Sequence, residues 1–96
     1  MKRAFTALAC LFALPASADK AQECRTTGQI AAKAQELRLE GKSEKRTMRL
    51  VLKEEGLVPP GYEDAVEPLV YYVFLQTDAG MEQDLGAAWE KACLEQ

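Results

Sequence analysis

Apolar residues recur at helical spacing in four stretches of this chain, and Gly or Pro punctuates the joints between them. In the first stretch Cys24, Thr27, Ile30, Ala31, Ala34 and Leu37 fall on one face of a helix expected from about Gln22 to Glu40. Most of that face is small, which lets another helix approach closely, and Lys33, Gln35, Glu36 and Arg38 take the solvent side. Gly41 stands where a helix stops on a left-handed residue. Ser43 then offers a hydroxyl N-cap for a second helix, whose buried stripe is read as Met48, Val51 and Leu52 and which ends at Gly56. Glu44 and Lys53 complement the two ends of its dipole. The segment Leu57-Val58-Pro59-Pro60-Gly61 is a connection, because proline restricts both itself and the residue before it.

The third stretch carries two apolar stripes. Tyr62, Ala65, Val66, Leu69, Val70 and Val73 share one face, while Pro68, Tyr71, Tyr72 and Leu75 form another on roughly the opposite side. A helix apolar all round is normally buried all round, which predicts a central helix; the other reading makes Pro68, Tyr71, Tyr72 and Leu75 a partner or homodimer surface. Pro68 predicts either a helix that begins near it or a kink. Val70 to Leu75 also suits a strand, but no second strand is available to pair with it. The fourth stretch, Met81, Leu85, Ala88, Trp89 and Ala92, follows helical spacing with Thr77 or Asp78 as the expected cap.

The pattern therefore predicts an all-α fold: a small bundle of four helices, or three long and one short, packed orthogonally or up and down. The first 18 residues are read apart from it. Lys2 and Arg3 precede an apolar run from Ala4 to Leu14, and Ala16-Ser17-Ala18 supplies a small-x-small site, the layout of a secretory signal cleaved before Asp19. The run is too short to cross about 30 Å of hydrocarbon, so no stable membrane anchor is expected after cleavage. Cys10, after Ala7-Leu8-Ala9, weakly resembles a lipoprotein site, but the apolar run continues past it and it is expected to leave with the signal. Residues 19–96 then form a single helical domain in the periplasm or outside the cell.

Export changes the cysteine arithmetic. Losing Cys10 leaves Cys24 and Cys93, and an even count in an oxidising compartment predicts one disulfide. Such a bridge joins the first helix to the last and closes nearly the whole domain. It also changes the charge: without Lys2 and Arg3, ten basic and 15 acidic residues remain, net −5. Residues 19–53 carry net +4 and residues 54–96 net −9, a dipolar arrangement that suits pairing between helices or with a partner.

Candidate chemistry is sparse. The chain has no histidine, which removes Ser-His-Asp and Cys-His catalysis and most zinc and copper sites. No glycine-rich phosphate loop is present, and Gly80 and Gly86 stand alone. Laid on a calcium-loop template from Asp78, the chain puts Gly80, Gln83 and Trp89 where an oxygen ligand, a glycine and a glutamate are required. Glu63, Asp64 and Glu67 read as a solvated cluster at a helix start more readily than as a hydrolase pair. No catalytic residue, cofactor or metal is expected.

Lys42, Lys45, Arg46, Arg49 and Lys53 form a basic face on the second helix, suited to lipid headgroups, cell-wall polymers or an acidic protein, or complemented by the acidic half of the chain. Nucleic acid is not the expected partner of a net-acidic exported domain. These features favour a non-enzymatic protein that binds or shields another protein. The alternatives are a dedicated inhibitor or subunit of an envelope protein, and an acid-stress chaperone. The layout (exported, short, helical, one disulfide, an acidic region) resembles small bacterial acid-stress chaperones, which implies opening by self-repulsion as carboxylate protonation carries the charge from −5 towards +10. The resemblance covers no motif and carries over no residue role.

Overall fold

The computed structural model of the protein describes residues 2–96, with side chains from Asp19 onward, and all its regular structure among them is helical. Helix α1 spans Lys2–Leu39, α2 Glu44–Lys53, α3 Glu63–Phe74 and α4 Leu85–Leu94, with a single 3-10 turn at Gly80–Glu82 before α4. The expected cleavage after Ala18 and the reading of Cys10 fall on residues whose side chains lie outside those described. Helix α1 extends N-terminal to the expected start at Gln22.

Local chemistry sets the helix ends. Gly41 adopts φ 90°, and the Gly41 and Lys42 amides donate to the Arg38 and Leu37 carbonyls at 2.9 and 3.0 Å, a Schellman stop. The Ser43 hydroxyl accepts from the Arg46 amide at 3.1 Å, as its N-cap position requires. Helix α4 departs from expectation. Asp84 caps it by accepting from the Ala87 amide at 3.0 Å, while the Thr77 hydroxyl accepts from the Gly80 amide at 3.1 Å, three residues before the 3-10 turn and not at α4. One apolar stripe thus spans two helical pieces, with Met81 and Leu85 both buried across the break.

Helix α1 is the hub, touching each of the other three helices. Every residue read on its buried face, Cys24, Thr27, Ile30, Ala31, Ala34 and Leu37, is buried. Ile30, Ala31, Ala34 and Leu37 meet Val51 of α2, Val66, Leu69, Val70 and Val73 of α3, and Met81 and Leu85 before and in α4. Trp89 fills the α3–α4 gap: its ring lies 5.2 Å from that of Tyr72, and its indole N–H donates to the Thr27 hydroxyl at 2.8 Å. That hydroxyl donates in turn to the Glu23 carbonyl at 2.9 Å, so the buried polar pair is satisfied.

The α1–α4 contact is unusually close. A Cβ built at Gly28 would sit 2.9 Å from the Gly86 carbonyl oxygen, and one at Gly86 only 2.7 Å from the Gly28 oxygen and 2.8 Å from the Ala32 Cβ. Gly86 is therefore not an isolated glycine but half of a backbone-to-backbone crossing. One turn before Gly28 on α1 the Cys24–Cys93 disulfide bridges the two helices, with Cα atoms 5.5 Å apart and 69 positions between them in sequence. In the chain-entropy treatment a loop of that length is worth about 4 kcal/mol. Lys20 also donates to the Gln96 carbonyl at the same end of the domain.

Two side chains assigned to solvent organise the interior instead. The Gln35 amide is buried, donates to the Met81 and Gln83 carbonyls at 3.1 and 2.7 Å, and accepts from the Leu85 amide at 3.0 Å. It satisfies the break between the 3-10 turn and α4 from across the core. Arg38 donates to the Val73 and Gln76 carbonyls at 2.7 and 2.9 Å, where the C-terminal dipole of α3 favours a cation. Its guanidinium also lies 5.6 Å from the Phe74 ring centre.

The second and third helices correct the sequence reading further. In α2 the buried positions are Thr47 and Val51, Met48 is half-buried, and Leu52 faces solvent. Ala92 of α4 is also exposed. Helix α3 begins five residues before Pro68 and continues through it. The proline is exposed, so the carbonyl that loses its intrahelical donor lies on the solvent side. Nor is α3 buried all round, since Pro68, Tyr71 and Leu75 are exposed.

Gly86→Ala is expected to lower stability by about 1–2 kcal/mol, roughly 5–10 °C in the thermal midpoint. An ordinary helical glycine would instead gain about 1 kcal/mol from alanine, so a raised midpoint contradicts the close crossing. Thr47 is fully buried and its hydroxyl finds no hydrogen-bond partner. The isosteric Thr47→Val should therefore raise the urea-unfolding free energy by about 1 kcal/mol.

Candidate functional site

The outward sides of α2 and α3 carry two matching stripes. On α2, Lys45, Met48, Arg49 and Leu52 follow i, i+3, i+4, i+7, the spacing that places them along one line of a helix. On α3, Asp64, Glu67, Pro68, Tyr71 and Leu75 follow the same rule with one further turn. All are exposed except half-buried Met48. Tyr71 is 54% exposed, Leu75 61% and Leu52 50%, so large apolar surface is left in water beside a well-filled core.

The stripes meet at an open groove of about 360 Å³ between the helices, lined by Glu44, Met48, Glu67, Pro68 and Tyr71. Its floor is thioether, pyrrolidine and aromatic surface, and its rims are carboxylates. Of the residues read as a partner surface, the structure brings Pro68 and Tyr71 into the groove and leaves Leu75 exposed one turn beyond Tyr71. Tyr72 is turned away to pack against Trp89. Met48 was missed, because a methionine within an apolar stripe reads as core; its spacing with Lys45, Arg49 and Leu52 is the signal that marks it.

The basic face is also outward. Lys45, Arg46, Arg49 and Lys53 are exposed and Lys42 half-exposed. The expected complementation by the acidic half reaches only Lys33 among the described residues, paired with Glu54 at 3.1 Å and Glu36 at 3.4 Å. The hydrogen bond that the Lys33 ammonium donates to Glu54, aided by the charges of both carboxylates, holds its pKa above the ordinary value against desolvation. No such pair forms at the five cations of the α2 face among the described residues.

Glu63, Asp64 and Glu67 are all exposed, and the Glu63 carboxylate is engaged in accepting the Gly61 amide at 3.0 Å at the start of α3. The stretch tested as a calcium loop forms a 3-10 turn and the first turn of α4. Among the described residues no three His, Cys, Asp or Glu side chains converge to hold a metal ion, and no helix is long and apolar enough to cross a membrane. Comparison with protein-family models, with characterised proteins and with solved structures finds no match to this chain.

Because Tyr71 and Leu75 stand clear of the core, Y71D and L75D should each change the urea-unfolding free energy by no more than about 0.5 kcal/mol. On the same helix V73D buries an unpaired carboxylate and should abolish cooperative unfolding. Comparable losses in all three variants would show that the stripe belongs to the core.

Proposed function

We propose that this protein is a small exported helical domain that acts by binding a protein partner, with no catalytic role, and that the outer face of α2 and α3 makes the contact. The observation that carries this reading is the exposure of Tyr71 and Leu75 on a helix whose opposite side, Val66, Leu69, Val70 and Val73, is fully packed. A small domain gains nothing from holding aromatic and aliphatic surface in water, whereas interfaces concentrate it around charged rims. The adjoining groove gives a partner side chain a concave seat, and tyrosine supplies contact area at small entropic cost.

The disulfide is compatible with an exported domain of this kind. An oxidising compartment lets the Cys24–Cys93 bridge persist, so the face is presented on a scaffold whose first and last helices are stapled together. The lack of histidine, together with the pairing of Cys24 and Cys93, leaves the domain without the usual nucleophile and base.

A photo-crosslinking residue placed at position 71 in cells exporting the full chain tests the reading. A discrete covalent adduct is expected, and it should be lost when Leu75→Asp is added. A single adduct marks a dedicated partner and a ladder of adducts marks a shielding role. No adduct of any mass would overturn the proposal.

A further inference from the structure

We infer that the occupant of the α2–α3 face is a second copy of this chain, docked about a two-fold axis that runs along the groove. The inference rests on the reading that this face binds protein, and it names the partner.

Charges flank an apolar seam on this face. The α2 stripe interleaves Lys45 and Arg49 with Met48 and Leu52, and the α3 stripe interleaves Asp64 and Glu67 with Pro68, Tyr71 and Leu75. Within one chain these charges stay apart, since the ion pairs among the described residues are those of Lys33. The molecule thus presents an unpaired cationic stripe on the outer face of α2 and an unpaired anionic stripe on that of α3, with the Glu44 and Glu67 carboxylates at the groove between them. A two-fold axis along that groove sets α2 of each copy opposite α3 of the other. Lys45 and Arg49 then face the other copy's acidic stripe twice over, and the apolar residues of both copies meet in the middle. An isologous interface requires such self-complementarity. A one-signed partner surface would match one stripe and be repelled by the other.

The test is a charge exchange read by native mass spectrometry and sedimentation on the purified protein. K45E/R49E makes both stripes acidic, and D64K/E67K makes both basic; neither touches Glu63, whose carboxylate accepts the Gly61 amide ahead of α3. Each variant should raise the dimer dissociation constant at least about tenfold, since like charges then face each other. An equimolar mixture should restore a dimer as a heterodimer, and the chain carrying all four substitutions should dimerise with itself. The wild-type dimer should weaken as ionic strength rises from about 0.05 to about 0.5 M.

Circular dichroism confirms folding of each variant, and the fourfold variant decides the matter if either exchange alone fails to fold. A wild-type protein that stays monomeric at about 100 µM, above the micromolar range of weak specific complexes, overturns the inference. So does a mixture that fails to form the heterodimer. A monomer whose position-71 adduct contains a different protein overturns this inference and leaves the binding role standing, whereas no adduct at all removes both.

Discussion

The backbones of α1 and α4 cross so closely at Gly28 and Gly86 that a Cβ on either would fall within 3 Å of the other's carbonyl oxygen, and this contact fixes where the remaining helices can lie. Two helices that touch through glycine bury little side-chain area at the crossing itself, so its worth lies in what the proximity permits. With α4 drawn in, Trp89 reaches Thr27 and Tyr72, and Leu85 enters the core beside Met81. The disulfide holds the crossing at one side by restricting the unfolded chain, and the packed core holds it at the other. Neither device replaces the other: the bridge limits how far α4 can leave, while the glycines set how near it can come.

The second consequence concerns polar groups. A helix laid this close must be entered through a sharp break, and the chain between Gly80 and Leu85 turns with backbone groups facing the interior. Gln35 is long enough to reach that break from α1 and carries both a donor and an acceptor, so one side chain serves two carbonyls and one amide. Arg38, one turn on, does the same for the end of α3 with a fork of donors. Helix α1 thus presents apolar residues to bury, glycine and alanine to permit approach, and two polar residues to satisfy the chain ends packed on it.

That division explains what was legible in the sequence. Helical periodicity, the stop at Gly41, the Ser43 cap and the cysteine count each depend on a few neighbouring residues or on compartment, and each can be read without the fold; the second helix ends at Lys53, short of the Gly56 stop. Gln35 and Arg38 read as solvent-facing because polarity alone cannot tell a solvated side chain from one facing carbonyls 46 or 35 positions away. Asp84 lost the capping role to Thr77 and Asp78 in the sequence because one unbroken stripe hides a break that only the Gln35 contact reveals. The outer stripe of α3 was visible as a second set of apolar spacings, but whether it was core or surface depended on which helix took the centre.

The centre belongs to α1, and that choice accounts for the candidate site. Had α3 been central, both of its stripes would have been covered and the acidic residues Asp64 and Glu67 would have been drawn against the basic half of the chain. With α1 central, α3 needs one buried face only, and α2 packs beside it through Thr47 and Val51 rather than over it. Pro68 fits the same logic, since a carbonyl deprived of its helical donor is tolerable on the water side and costly on the core side. The surplus apolar stripe, the groove and the unpaired charges on both rims are therefore products of one packing decision. Among the described residues nothing covers these surfaces, which is the physical reason to seek a partner for them.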